Sequence, residues 1–237
     1  MLDNRLIIAL DYSDMHQVKK LVDQLGDSVG YYKVGMELFY SVGGQVISFL
    51  REKNKEVFLD LKLYDIPNTV AKSAAVLTEL GVSMLNVHAS GGETMMKAAA
   101  ESVAEQSQRL GISRPKLIAV TVLTSFSEVE WPSLNCKIGI DDQVIYLAKM
   151  VQRAGVDGVV ASPREASAIS NELGNDFLVV TPGIRPNGAS INDQSRVLTP
   201  RQALKAGSTH LVIGRPVTAA VNPRAAVESI LEEMRVI

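Results

Sequence analysis

Two periods alternate along the chain. Short apolar runs of strand length recur at Leu6 to Leu10, Tyr31 to Val34, Val57 to Leu63, Met84 to His88, Leu117 to Leu123, Gly158 to Ala161, Phe177 to Thr181 and Leu211 to Ile213. Between them lie segments with apolar residues three and four positions apart, such as Val18, Leu21, Val22 and Leu25, or Val70, Ala74, Leu77 and Leu80. The runs predict strands buried on both faces, and the spaced segments predict amphipathic helices. Start signals agree with this. Ser13 or Asp14 can cap the first helix, and Pro67, Pro163 and Pro200 each suit a first helical turn, where a missing N–H costs nothing. Further helices are expected from about Glu37 to Arg51, from Thr94 to about Arg109, from Asp141 to Gly155 and from about Thr218 to Met234. The stretch from Phe126 to Gly139, with Trp131-Pro132 inside it, has no period and is read as irregular.

Eight strand–helix units result, with a mean length of about 30 residues, the size of one βα repeat. No Ser/Pro-rich linker, charge block or low-complexity tract divides them. The expected fold is therefore α/β, a closed (β/α)8 TIM barrel forming a single catalytic domain over residues 1–237. An open doubly wound sheet is the alternative, but the first βα turn lacks GxGxxG and the chain has no GxxxxGK[ST]. Composition adds little pull of its own. The 237 residues are 46% hydrophobic and 21% charged with net charge −2, so there is no electrostatic case for nucleic acid or membrane as partner. Cys136 is the only cysteine, which removes any intrachain disulfide. The start, MLDNRLIIALDYSD, reads as neither a signal peptide nor a membrane span, and a cytoplasmic protein is expected.

Candidate chemistry breaks the apolar pattern at strand ends. Within FLDLKLYDIPNT, Asp60 and Lys62 interrupt the third strand two residues apart, so both point to one side. Charges rarely occupy a buried strand unless paired or reactive. Asp65 follows just past the strand. Asp11, Lys33, His88, Thr124, Arg185 and Arg215 also fall at or just beyond strand carboxyl ends. In a barrel these ends share one rim, the usual place of the active site. The bland readings are a helix cap for Asp11, a surface lysine for Lys33, a structural ion pair for Asp60 and Lys62, and a hydrogen-bonded core histidine for His88.

Two late loops read as a phosphate site. Gly214 permits close backbone approach, Arg215 offers a fork of donors, and phosphates often bind after strands seven and eight of such barrels. The segment Pro182 to Thr199 is too long for an idle connection and is read as a lid, with Gln194 its best phosphate donor. A mobile surface loop is the bland reading. His16 and His210 are read as structural, Met95-Met96 as packing, and neither Trp131 nor Cys136 is given a function.

The stretch DLKLYDIPNT resembles the DxKxxDIPxT signature of the orotidine 5′-phosphate decarboxylase family. Its bacterial form is also resembled by ALD at 9–11, YYKVGMELF at 31–39, NVHASGG at 86–92, AVTVLTS at 119–125, TPGIRP at 181–186 and VIGRPVT at 212–218. The resemblance implies a barrel that converts orotidine 5′-monophosphate to uridine 5′-monophosphate and CO2, the last step of de novo pyrimidine nucleotide synthesis. It implies no cofactor and no metal. It also implies a homodimer in which Lys33, Asp60 and Lys62 belong to one subunit while Asp65 and Thr69 come from the other. Asp11 and Lys33 are implied to bind ribose, Thr124 and Ser125 the pyrimidine, and Arg185, Gln194, Gly214 and Arg215 the phosphate.

The residues suit that reaction. Loss of CO2 from C6 leaves an electron pair in the ring plane, and nothing in the chain suggests a thiamine, pyridoxal or metal electron sink. Fixed charge must then stabilise the carbanion, and the Lys62 ammonium, flanked by carboxylates, can do so and deliver the proton. Repulsion between Asp60 and the substrate carboxylate is a second, smaller contribution. The competing enzyme reading is a related metal-dependent sugar-phosphate decarboxylase or aldolase on the same barrel. A reading of another class is a non-catalytic nucleotide-binding or sensor protein on that barrel.

Overall fold

A computed structural model describes residues 3–186 and 198–235. Eight parallel strands close into a barrel in chain order, β1 (Leu6–Leu10), β2 (Tyr31–Gly35), β3 (Glu56–Leu63), β4 (Met84–His88), β5 (Lys116–Val120), β6 (Gly158–Val160), β7 (Leu178–Thr181) and β8 (His210–Ile213), with β8 paired back to β1. Helices connect them on the outside: α1 (Met15–Leu25), α2 (Met36–Val42), α3 (Gln45–Glu52), α4 (Pro67–Glu79), α5 (Gly92–Leu110), α6 (Ile140–Arg153), α7 (Ala166–Leu173), α8 (Pro200–Lys205), α9 (Arg215–Thr218) and α10 (Pro223–Arg235). The expected (β/α)8 barrel is the observed one. Among the described residues, no helix is long and apolar enough to cross a membrane.

The strands are apolar on both faces because each face meets a different core. Ile7, Tyr31, Phe58, Met84, Ile118 and Val180 fill the barrel interior. Their neighbours Leu6, Ile8, Tyr32, Leu59, Leu85 and Leu117 pack outward under the helices. Helix α1 illustrates the outer layer. Val18, Leu21, Val22 and Leu25 are buried on one stripe, and Asp14 caps the helix by accepting from His16 N and Gln17 N at 2.9 and 3.0 Å. Each such side chain contributes about 1.5–3 kcal/mol by leaving water, and the cap pairs two N–H groups that the first turn leaves without intrahelical partners.

Several element boundaries differ from expectation for identifiable reasons. The helix expected from Glu37 to Arg51 is broken in two at Gly43-Gly44, where Gly43 has φ 64° and its N–H bonds Phe39 O. The last helix divides likewise, since Asn222 Oδ1 accepts from Ala225 N and Pro223 begins a new first turn. Strand β5 stops at Val120 rather than Leu123. Thr121 turns both its N–H and its hydroxyl onto Val160 O, at 3.2 and 3.1 Å. Helix α7 begins at Ala166 rather than Pro163, because residues 163–165 form a turn in which the Glu165 carboxylate accepts from Ser162 N.

At the amino end of the barrel, His210 Nδ1 lies 3.0 Å from Thr209 Oγ1 and its ring meets Tyr31 edge-on. This agrees with a structural histidine. Trp131 is buried in the loop after β5, donates from Nε1 to Ile138 O at 2.8 Å and packs against Phe126. It holds together a segment that has almost no regular structure.

Gly158 on β6 pairs with Leu178 on β7 and leaves no room for a side chain. A Cβ built there would lie 2.2 Å from Leu178 O and 2.5 Å from Leu178 Cβ. Gly158→Ala is therefore expected to force the two strands apart and cost about 1–3 kcal/mol. Urea denaturation monitored by circular dichroism measures this, and an unchanged midpoint would contradict the close approach.

Candidate active site

The polar cluster begins with an irregularity in β3. Up to Leu59 that strand pairs regularly with β4, Phe58 facing Met84 and Leu59 facing Leu85, but the next pair is Leu63 with Val87. Four residues of β3 thus lie against two of β4, a bulge that spans Asp60 to Lys62. Lys62 sits in it with φ 53°, a left-handed backbone that costs a side-chain-bearing residue about 1–3 kcal/mol. The bulge removes its N–H from the ladder. That N–H instead donates to Asn86 Oδ1 on β4 at 2.8 Å. The shared face that strand parity predicts for Asp60 and Lys62 survives, with Leu61 and Leu63 turned outward beside α4.

Asp60 is the centre of the cluster. Its Oδ1 accepts from Lys62 Nζ at 2.6 Å and from Asn86 Nδ2 at 2.7 Å. Its Oδ2 lies 3.4 Å from Lys33 Nζ on β2. Lys33 Nζ also donates to Asp11 Oδ1, just beyond β1, at 3.1 Å. A continuous chain of alternating charge, Asp11–Lys33–Asp60–Lys62, therefore runs across three adjacent strand ends. The Asp60 and Lys33 side chains are only 11% and 12% exposed, whereas Asp11 is 57% exposed at the open end.

Burial alone would push the Asp60 carboxyl up. The two ammoniums, with the hydrogen bonds from Lys62 and Asn86, outweigh it and hold the group below the usual carboxylate range. Lys33 is the mirror case. Burial disfavours its charge, yet Asp60 and Asp11 together raise it above an ordinary lysine. Both groups are thus held ionised. His88, at the end of β4, is pushed down by burial and by Lys62, with Asp60 opposing, and its ring packs against Tyr64.

The other expected site residues divide into groups. Gly214 caps α9, and a Cβ there would lie 3.2 Å from Asp11 Oδ2, so the loop after β8 abuts the acidic end of the charge chain. Arg215 follows it on the surface. Thr124 is half-buried and Ser125 exposed in the turn after β5. Arg185 is buried after β7, where Arg185 N donates to Leu198 O at 3.0 Å and closes the neck of the Pro182–Thr199 segment. Gln194 and most of the expected lid lie outside the described residues.

Asp65 and Thr69 are not brought to the cluster of their own chain. Asp65 is exposed and its carboxylate accepts from Ile66 N at 2.6 Å, while Thr69 is exposed on the first turn of α4. Asn86, by contrast, joins the cluster without having been an expected site residue. Its sequence signal is an amide inside the apolar run MLNVH, a buried polar group in need of partners. Among the described residues no group of His, Cys, Asp and Glu is arranged to hold a metal ion.

The model of the orotidine 5′-phosphate decarboxylase / HUMPS family matches residues 4–230 of the chain. The orotidine 5′-phosphate decarboxylase of Moorella thermoacetica is 47% identical over 238 residues, spanning 99% of this chain and 93% of that one. That of Actinobacillus pleuropneumoniae serotype 5b is 44% identical over 234 residues, spanning 99% of this chain and all of the relative. A crystal structure of orotidine 5′-phosphate decarboxylase from Lactobacillus acidophilus matches with a TM-score of 0.87 at 43% identity, covering 99% of this chain and 100% of that one.

The depressed Asp60 carboxyl links the site to stability. A carboxylate whose folded pKa lies below its unfolded value of about 3.9 stabilises the fold above that pH and loses the contribution as pH falls through the folded pKa. The difference in unfolding free energy between wild type and Asp60→Asn should therefore be constant from pH 7 to pH 5, about one unit above that value, and shift toward Asp60→Asn in more acidic solution. Denaturant titrations across that range test it, and a pH-independent difference would contradict an Asp60 carboxyl held below its unfolded value.

Proposed function

The chain belongs to the orotidine 5′-phosphate decarboxylase / HUMPS family, and from that premise we propose how its site works as an orotidine 5′-phosphate decarboxylase. The enzyme is a carboxy-lyase that converts orotidine 5′-monophosphate to uridine 5′-monophosphate and CO2. The observation that carries the mechanism is the Lys62 ammonium held 2.6 Å from a buried, ionised Asp60 at the mouth of the barrel.

The bond from C6 of the pyrimidine to its carboxylate breaks, and CO2 leaves without the bonding pair. That pair stays on C6, in the ring plane, where the π system does not delocalise it. The Lys62 ammonium stabilises the developing charge and then transfers a proton from Nζ to C6. The lysine left neutral is reprotonated from solvent. A cation already fixed by Asp60 needs little reorganisation as the charge appears, which is the source of the electrostatic advantage. Asp60 lies beside the departing carboxylate and repels it before the bond breaks. Asp11 and Lys33 take the ribose hydroxyls, Thr124 and Ser125 the pyrimidine edge, and Gly214 and Arg215 the phosphate with Arg185 and Gln194. Holding the remote phosphate serves to align C6 with Lys62.

A homodimer completes the site. Asp65 and Thr69 stand outside their own cluster, and around them Tyr40, Tyr64, Ile66 and Val76 are each at least 60% exposed. An apolar surface of this kind on and beside α4 suits a second copy of the chain. Asp65 of each chain then joins the partner's Lys62, and Thr69 the partner's ribose site. The activity and the single free thiol, Cys136, are in keeping with a cytoplasmic location.

Turnover of orotidine 5′-monophosphate, followed by loss of its ultraviolet absorbance, tests the reaction. Lys62→Ala and Asp65→Ala chains should each be folded and inactive. Mixed one to one and allowed to exchange, they should recover about a quarter of wild-type activity, since half the dimers carry one intact site of two. Verified heterodimers without activity would contradict the shared site, and an active Lys62→Ala would contradict the assigned proton donor.

A further inference from the structure

We propose that Asn86 is a positioning residue for the reaction, acting through Lys62 and Asp60 rather than by touching substrate. The inference rests on the role given to Lys62 above and adds the device that aims it. Asn86 is 1% exposed and lies at the midpoint of β4, where its neighbours Leu85 and Val87 are buried apolar residues. Its amide is used at both ends. Oδ1 accepts from Lys62 N at 2.8 Å, and Nδ2 donates to Asp60 Oδ1 at 2.7 Å.

Each bond does something no other described side chain does. The first satisfies an N–H that the β3 bulge has withdrawn from the ladder, and so holds Lys62 in a left-handed backbone that its own side chain disfavours. The second fixes the orientation of the carboxylate that receives Lys62 Nζ. One planar amide thereby ties the main chain of Lys62 to the acceptor of its side chain, and the position of Nζ is set from both ends. An apolar replacement would leave a buried N–H unpaired and Asp60 free to turn toward Lys33.

Two variants separate positioning from mere packing. Asn86→Leu keeps the volume and removes both bonds. Asn86→Asp keeps the acceptor for Lys62 N and replaces the donor toward Asp60 with a second carboxylate. The charged and titratable groups around that position are Asp11 beyond β1, Lys33 on β2, Asp60 and Lys62 on β3 and His88 on β4. Two carboxylates at the distance of the present hydrogen bond repel each other while both are charged, and one proton taken up between them as pH falls would restore a donor.

For Asn86→Leu the expected result is a kcat lowered about 100-fold, the cost of a misplaced reacting group, with affinity for uridine 5′-monophosphate kept within about threefold because ribose and phosphate contacts are untouched. For Asn86→Asp the expected result is a kcat that rises as pH falls from 8 to 5, a limb that the wild type lacks. Should Asn86→Leu fail to fold, the pH profile of Asn86→Asp decides alone. A folded Asn86→Leu with wild-type kcat, an equal loss of kcat and product affinity, or an Asn86→Asp profile parallel to wild type would each overturn the inference. Wild type and Lys62→Ala run in the same assay. An inactive wild type or an active Lys62→Ala removes the underlying role of Lys62, whereas a normal result for both with an indifferent Asn86 overturns the positioning role alone.

Discussion

A carboxylate held charged between two ammoniums is the constraint on which this structure turns. Asp60 is nearly buried, and an ion in that position is tolerated only if its surroundings replace water fully. Lys33 and Lys62 supply the countercharge from either side and Asn86 supplies a neutral donor. Removing any one of them leaves the others with an uncompensated charge or an unpaired group, so the cluster stands or falls as a unit. Its preorganisation is what the proposed mechanism requires, because the cation that meets the carbanion is already in place before the carbon–carbon bond breaks.

The barrel makes such a cluster possible at modest cost. Its lower interior is filled by apolar side chains that exclude water, while the mouth gathers residues distant in sequence onto one rim. Lys33 pairs with Ala9 on β1 and with Phe58 on β3, two residues before Asp11 and Asp60, so its long side chain reaches up to both carboxylates on the adjacent strands. Only Lys62 needs a departure from regular geometry. The bulge in β3 is that departure, and it is stabilised by the same asparagine that orients Asp60. On the proposed reading the far edge of the stretch, Asp65 to Thr69, serves the partner chain, so that one strand–loop–helix unit contributes to two sites.

Much of this was legible in the sequence because it rests on periodicity. Eight apolar runs with helical patterns between them suffice for a (β/α)8 barrel, and strand parity puts Asp60 and Lys62 on one face. Boundaries were less legible where side chains compete with the backbone, as at Thr121, Asn222 and Glu165, since their hydrogen bonds depend on atoms brought near only by the fold. The bulge was illegible for the same reason. LDLKL reads as a regular strand, and the left-handed Lys62 is stable only with Asn86 opposite it. Asn86 did carry a signal, an amide inside a buried run, but its partners lie 24 and 26 residues away and nothing local names them.

The central claim is that the site stabilises a C6 carbanion and that Lys62 carries the proton. By microscopic reversibility, the same side chain, as the neutral amine, must also remove the C6 hydrogen of bound uridine 5′-monophosphate and become the ammonium. The direct measurement is proton NMR of uridine 5′-monophosphate incubated with the enzyme in D2O. The account predicts slow loss of the C6 hydrogen signal with wild type and none above background with Lys62→Ala. No exchange with active wild type, or exchange undiminished in Lys62→Ala, would contradict it.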